Sequence, residues 1–291
     1  MMNNNIDYKA LIDSYLDKIL DEKAFPEIIY KAMGYSVKKA GKRLRPLLML
    51  YTAEGFDGDI DKIMPFAAAI ECIHSYSLIH DDLPCIDNDD IRRGKPTNHK
   101  VFGEGMALLA GDGLLNLAYE FMSGACVKNF SKESVLAMNI IAKSAGTNGM
   151  IGGQVVDIIS EDKIVDGSTL LYIQKNKTGA IIKSAVAAGA VLCGANDEQI
   201  AKLTEAAEAF GIAFQIKDDI LDIKGSVEIL GKPIGSDAAN KKLTHVSLYG
   251  LEKAEADYLE YSDKAMEIVK GLKLKTASLE NYMGRLINRE F

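Results

Sequence analysis

Five carboxylates stand between positions 81 and 90, at Asp81, Asp82, Asp87, Asp89 and Asp90, directly behind a largely apolar stretch from Ala67 to Ile79. Acids placed at the end of a buried helix must answer to one another. Two like unit charges ~4 Å apart repel by ~4 kcal/mol at an effective dielectric near 20. A solvated charged loop is the plain reading of such a run. The apolar approach argues against it, as do Arg92, Arg93 and Lys95 immediately after the acids. Oxygen ligands without neighbouring Cys and with few His favour a hard cation, Mg²⁺ before Ca²⁺ or Mn²⁺, and the guanidinium pair suits the anion that Mg²⁺ commonly shares with a protein. An EF-hand fails on spacing. Counting from Asp87, the third and fifth places are Asp89 and Ile91, Arg92 stands where Gly is needed, and Asn98 where Glu is needed.

The rest of the chain reads as all-α. Ala, Leu, Ile, Lys and Glu dominate, alternating β-branched runs are absent, and only six prolines occur in 291 residues with no Pro/Gly/Ser-rich linker, so residues 1–291 read as a single domain. A net charge of −7 argues against nucleic-acid binding. The four cysteines are far apart with no CxxC pair, the first residues lack a basic segment followed by an apolar one, and the longest apolar run, 184–195, is too short to span a bilayer. These features point to the cytoplasm and to no membrane insertion.

The pattern predicts helices over 6–20, from Pro26 towards Gly41, over 46–54, 62–83 and 106–127, from Ser131, continuously over 168–195, and from Asp197. On the helix over 62–83, His74 and Asp81 share a face. Beyond Pro84, a straight helix would turn Asp87 away from Asp81, so an unwound segment is needed to return it. Lys42, Arg43 and Arg45 crowd a helix junction ahead of Pro46, either as surface charge or as an anion site. Gly152-Gly153, followed by Gln154 and Asp157, reads either as close helix packing or as polar groups aimed into the same cleft. Lys177, Thr178 and Gly179 stand amid apolar turns and need polar company if buried.

A second acidic motif answers the first. Gln215, Asp218, Asp219 and Asp222 follow i, i+3, i+4, i+7, one polar stripe on an otherwise apolar helix. Three like charges at that spacing destabilise a bare helix and make sense opposite a cation. Lys232, Asp237, Lys241 and Lys242 follow in a loop. The two motifs together describe a cavity with carboxylates on facing walls, able to hold several Mg²⁺ ions around a diphosphate above an apolar space.

In this order the motifs GKRLRP (41–46), DDLPCID (81–87), RRG (92–94), GGQVVD (152–157), KTG (177–179), DDILD (218–222) and GKPIGSD (231–237) resemble those of the trans-isoprenyl diphosphate synthases, the polyprenyl synthetase family. Within it the likeness is to bacterial-type farnesyl diphosphate synthases. The resemblance implies the isoprenoid-synthase fold, a bundle of long helices around a deep central cavity, as a homodimer. It implies an ionisation-condensation-elimination reaction joining dimethylallyl or geranyl diphosphate head-to-tail to isopentenyl diphosphate. Mg²⁺ is the implied cofactor, three ions to a site in the family's pattern, with Mn²⁺ as a substitute. Asp81, Asp87 and Asp218 would bind metal, supported by Asp82, Asp219 and Asp222. Arg92, Lys177, Thr178, Gln215 and Lys232 would meet the allylic diphosphate, Lys177, Thr178 and Gln215 also serving catalysis. Lys42, Arg45, His74 and Arg93 would hold isopentenyl diphosphate.

Chain length is the remaining specificity. Tyr76 lies five residues before Asp81, roughly 7.5 Å along the axis, although ideal geometry points Ser77 more directly beneath Asp81. The aromatic at 76 and two extra residues within DDLPCID resemble the C15-producing pattern, so (2E,6E)-farnesyl diphosphate is the expected product. A geranyl or geranylgeranyl synthase is the alternative. A class I terpene cyclase fits less well, because DDILD replaces its usual Asn/Ser/Glu motif. A non-catalytic synthase subunit fits less well because both acidic motifs are intact.

Overall fold

The computed structural model describes residues 6–21, 24–38, 41–161, 163, 165–224 and 244–289. The described residues form helices α1 (Tyr8–Ile19), α2 (Glu27–Val37), α3 (Leu44–Gly55) and α4 (Ile60–Asp81), then a small antiparallel hairpin, β1 (Ile91–Arg92) with β2 (Lys95–Pro96). Helices α5 (Asn98–Phe102), α6 (Glu104–Lys128), α7 (Lys132–Ala145), α8 (Met150–Ser160) and α9 (Gly167–Ile173) follow. A π-turn (Gln174–Thr178) leads into α10 (Gly179–Leu192) and α11 (Asp197–Lys224), and the described chain closes with α12 (His245–Tyr249), α13 (Leu251–Gly271) and α14 (Ser278–Ile287).

α10 is the axis of the bundle. Every residue of it except Lys183 and Leu192 is buried, and it packs against α3, α7 and α11. A helix apolar on all sides belongs in the middle of a core. α4 lies against α3 and α6 and is itself buried from Ile63 to Tyr76 apart from Pro65 and His74. The apolar core runs from Tyr8 to Leu286, and a smaller cluster of Ile212, Ile216, Ile220, Val246 and Ala254 joins α11 to α12 and α13.

The predicted elements hold with three departures. α2 ends at Val37, well before Gly41, whose φ of +68° instead turns the chain into α3. The helix expected over 168–195 is interrupted. At the π-turn the Gly179 N–H reaches the Gln174 carbonyl, five residues back, in place of the usual four. The hairpin at 91–96 was not anticipated.

Arg43 is a structural member of the basic cluster. Its φ is +52°, its side chain is 1% exposed, and it donates to Asp13 at 2.8 Å, Glu71 at 2.7 Å and the Val37 carbonyl at 2.7 Å. It ties α1, α2 and α4 together at the start of α3. Removing one partner from such a buried pair costs ~3–5 kcal/mol, because the other charge stays behind.

Candidate active site

The first acidic motif sits where α4 ends. Pro84 forbids continuation, and Ile86 N–H bonds the Leu83 carbonyl at 2.9 Å in a tight turn. The Asp87 N–H then donates to the Asp81 carbonyl at 2.8 Å, so the chain folds back and the two residues become neighbours. Asp82 turns inward. It is 3% exposed, and Arg92 Nε donates to its Oδ1 at 2.6 Å. Burial pushes the Asp82 carboxyl up to about 6, against the pull of Arg92. Arg92 also reaches Asp89 at 3.5 Å, so the guanidinium expected on the allylic substrate is engaged with the acidic motif itself.

A cationic wall lies beside it. The Arg45 guanidinium is enclosed, and its Nε has no hydrogen-bond partner among the described residues. Burial lowers Arg45 to about 10; Glu71 and Asp218 oppose that shift, and Arg93 adds to it. Arg93 is exposed by residue area, yet its guanidinium packs over Gly41, where a Cβ would come within 2.8 Å of it. Enclosure lowers the Arg93 pKa too, with Arg92 and Arg43 adding to the shift and Glu71 opposing it. His74 is held well below the usual imidazole range, first by burial and then by Arg45, Arg93, Arg92 and Arg43. Converging cations, an orphaned donor and an imidazole held neutral make a wall whose chemistry suits an anion. Lys42 is exposed at the rim.

On the far side, α11 carries the second motif. Asp218 is exposed, whereas Asp219 and Asp222 are buried at 5% and 3%. A hydrogen-bond chain crosses from the π-turn. Thr178 Oγ1 donates to Gln215 Oε1 at 3.1 Å, Gln215 Nε2 donates to Asp219 Oδ1 at 3.2 Å, and the His245 N–H donates to Asp219 Oδ2 at 2.8 Å. Lys177 pairs with Asp157 of α8 at 2.5 Å. The close-packing reading of the 152–157 segment holds, and of its polar groups Asp157 meets Lys177 while the Gln154 amide nitrogen is buried without a partner among the described residues. A Cβ on Gly153 would fall 2.1 Å from the Lys177 backbone nitrogen, so α8 packs close enough to the π-turn for Asp157 to reach the lysine side chain.

Arg289, near the chain end, was not picked out as a site residue. Its guanidinium stacks on Phe214 with 3.7 Å to the ring centroid, donates to the Phe214 carbonyl at 3.3 Å and bonds Asp218. No spacing signal ties this arginine to an aspartate 71 residues earlier. Asp157 had a fainter signal, one turn beyond a Gly pair. Lys232, with Asp237, Lys241 and Lys242, lies outside the described residues.

Among the described residues no three His, Cys, Asp or Glu side chains converge as a closed metal cage. The donor chemistry nevertheless fits Mg²⁺, which takes one or two carboxylates and fills its remaining positions with phosphate oxygens and water. The guanidinium of Arg289 already stands in as a cation on Asp218.

A family model described as polyprenyl synthetase matches residues 26–278. The chain belongs to the polyprenyl synthetase family. Farnesyl diphosphate synthase of Geobacillus stearothermophilus is 43% identical over 272 residues, covering 93% of this chain and 92% of the relative. Chloroplastic geranylgeranyl pyrophosphate synthase of Catharanthus roseus is 42% identical over 269 residues, covering 90% and 74%. Among solved structures, a Helicobacter pylori geranyltransferase complexed with magnesium and isoprenyl diphosphate superposes with a TM-score of 0.83 at 30% identity, covering 99% of this chain and 98% of that one.

Tyr76, the expected floor of this polyprenyl synthetase's cavity, is 6% exposed, and its hydroxyl has no partner among the described residues. It meets His80 edge-on at 5.6 Å, and burial raises it to about 12, with Tyr119 of α6 and Asp81 contributing. Ser77 turns back on its own helix, donating to the His74 carbonyl at 2.9 Å.

Proposed function

We propose that this chain is a farnesyl diphosphate synthase, condensing dimethylallyl and then geranyl diphosphate with isopentenyl diphosphate. The observation that carries the reading is Arg45. An enclosed guanidinium with an unmet donor feels the charges of both Arg93 and Asp218, which supports placing the anion wall within electrostatic reach of the second acidic motif. Arg45, His74 and Arg93, with Lys42 at the rim, would bind isopentenyl diphosphate. Arg92, Lys177 and Lys232 would bind the allylic diphosphate.

Mg²⁺, held by Asp81, Asp87 and Asp218, would neutralise charge developing on the departing diphosphate. Asp82, Asp219 and Asp222 are buried, Asp82 held by Arg92 and Asp219 by Gln215 and the His245 N–H, and would support that set. The Thr178–Gln215–Asp219 chain fixes the Gln215 amide, whose dipole, with the carbonyls at the π-turn, faces the allylic cation. The apolar space beneath excludes water. No side chain stands out as the final base, and the released diphosphate is the natural proton acceptor.

We read residues 1–291 as one catalytic domain acting as a homodimer in the cytoplasm. Leu108 and Leu109 on α6 and Val135 and Leu136 on α7 are exposed apolar side chains that suit a second copy. No helix among the described residues is long and apolar enough to cross a membrane.

The test is an assay with labelled isopentenyl diphosphate and either allylic partner, followed by chromatography of the dephosphorylated products. The expected main product is C15, with turnover lowered by orders of magnitude in Asp81→Ala and Asp218→Ala at unchanged helical content. Near-wild-type turnover in either variant at saturating Mg²⁺ would remove it from the metal set. A C20 product would favour a geranylgeranyl synthase, the reading suggested by the Catharanthus roseus relative.

A further inference from the structure

Beside the π-turn, α9, α12 and α13 border a half-open pocket of about 280 Å³. Its apolar walls are Leu170 and Leu171, with Tyr249 and Tyr261. Gln174 lines it and is 3% exposed, yet neither its amide nitrogen nor its oxygen has a partner among the described residues. His245, 7% exposed, lines it as well. Its Nε2 lies 2.9 Å from Asp257 Oδ2, and its Nδ1 has no partner among the described residues.

Buried polar groups left unmet cost ~1–3 kcal/mol each, and three of them bordering one cavity ask for an occupant. The chemistry of the lining says which. A carboxylate only accepts, so Nε2 is the nitrogen that donates toward Asp257, which leaves Nδ1 facing the pocket as the second polar atom of the ring. Gln174 offers a donor and an acceptor side by side, the pair that reads an amino group next to a ring nitrogen. The charged lining is Lys253, Asp257 and Glu260, one cation against two anions, which disfavours a phosphate. Tyrosine and leucine walls suit a flat ring.

We propose that this cavity is a second small-molecule site that takes a neutral planar aminoheterocycle of about nucleobase size. The proposal stands whether or not the chain makes farnesyl diphosphate. It also has a built-in line to the active site. The Gln174 carbonyl closes the π-turn that carries Lys177 and Thr178, and the His245 N–H holds Asp219 at 2.8 Å. A ligand gripping both side chains touches the supports of both the π-turn and Asp219.

The experiment is a protein-observed NMR titration of the full chain with adenine, cytosine and 2-aminopyrimidine. Purine, which lacks the amino group, and pyrophosphate serve as controls. The expected result is saturable binding of at least one of the three, with Kd below about 1 mM, shifting the Gln174 side-chain amide and the signals of Leu170, His245 and Tyr249. Smaller shifts are expected at Lys177 and Asp219. Affinity should fall at least about tenfold in Gln174→Met and in His245→Phe, the loss of roughly one well-made hydrogen bond. The two variants lie on different elements, and thermal unfolding checks that each is folded. Absence of saturable binding by all three compounds overturns the site and leaves a water-filled cavity. Binding undiminished in both variants, or displaced by pyrophosphate, overturns it equally.

Discussion

His74 and Tyr76, two residues apart on α4, carry the sharpest residue-level consequences. His74 is neutral in the free protein because burial and four guanidinium groups oppose its proton. A depressed imidazole lowers stability as the pH falls below ~6.5, where the unfolded chain takes up a proton that the folded one refuses. A bound diphosphate reverses the local field, so binding should be accompanied by proton uptake at neutral pH. Calorimetry of isopentenyl diphosphate binding in buffers of different ionisation enthalpy should give a positive proton number that vanishes in His74→Gln; an unchanged number would separate His74 from the anion. Tyr76, buried between α4 and α6, is the candidate floor for a growing chain. Tyr76→Ala removes that bulk and should shift the product from C15 to C20 or longer, read by chromatography; C15 alone from the variant would leave chain length to other side chains.

At the level of elements, the long helices were legible because their apolar faces recur every three to four residues, and the two acidic motifs because carboxylates repeat on such a face. The π-turn was not. One extra residue in an apolar stretch leaves the pattern of 168–195 almost unchanged, so Lys177 and Thr178 stood out as polar but not as residents of a distorted turn. The hairpin pairs only two residues per strand, too few for alternation to register. Arg289 had no local signal, since its link to Asp218 exists only once α11 and α14 are packed. Gly153 tests whether the α8 contact with the π-turn matters. Gly153→Ala puts a methyl group against the Lys177 backbone, and overpacking of this kind costs ~1–3 kcal/mol. Turnover should fall well beyond what the loss of stability explains, while isopentenyl diphosphate binding, on the opposite wall, changes little. A variant with normal turnover would make the contact purely structural.

Across the whole molecule, the exposed apolar residues of α6 and α7 should be covered by a second copy. Sedimentation should give a dimer that Leu109→Asp weakens or splits; a monomeric wild-type chain would overturn that arrangement. The same bundle sets how the reactive turn tolerates change in length. A π-turn is an α-helix carrying one residue too many. Everything downstream is clamped, because α10 is buried nearly all round against α3, α7 and α11. Loss of a single residue such as Asn176 would therefore not break the helix. It would heal it, drawing α9 forward by about 1.5 Å and rotating it by about 100° about the shared axis. The repaired helix would be more regular, and α9 would lose its present register against α8. Here the extra residue sets that register, and regularity at that point would undo it.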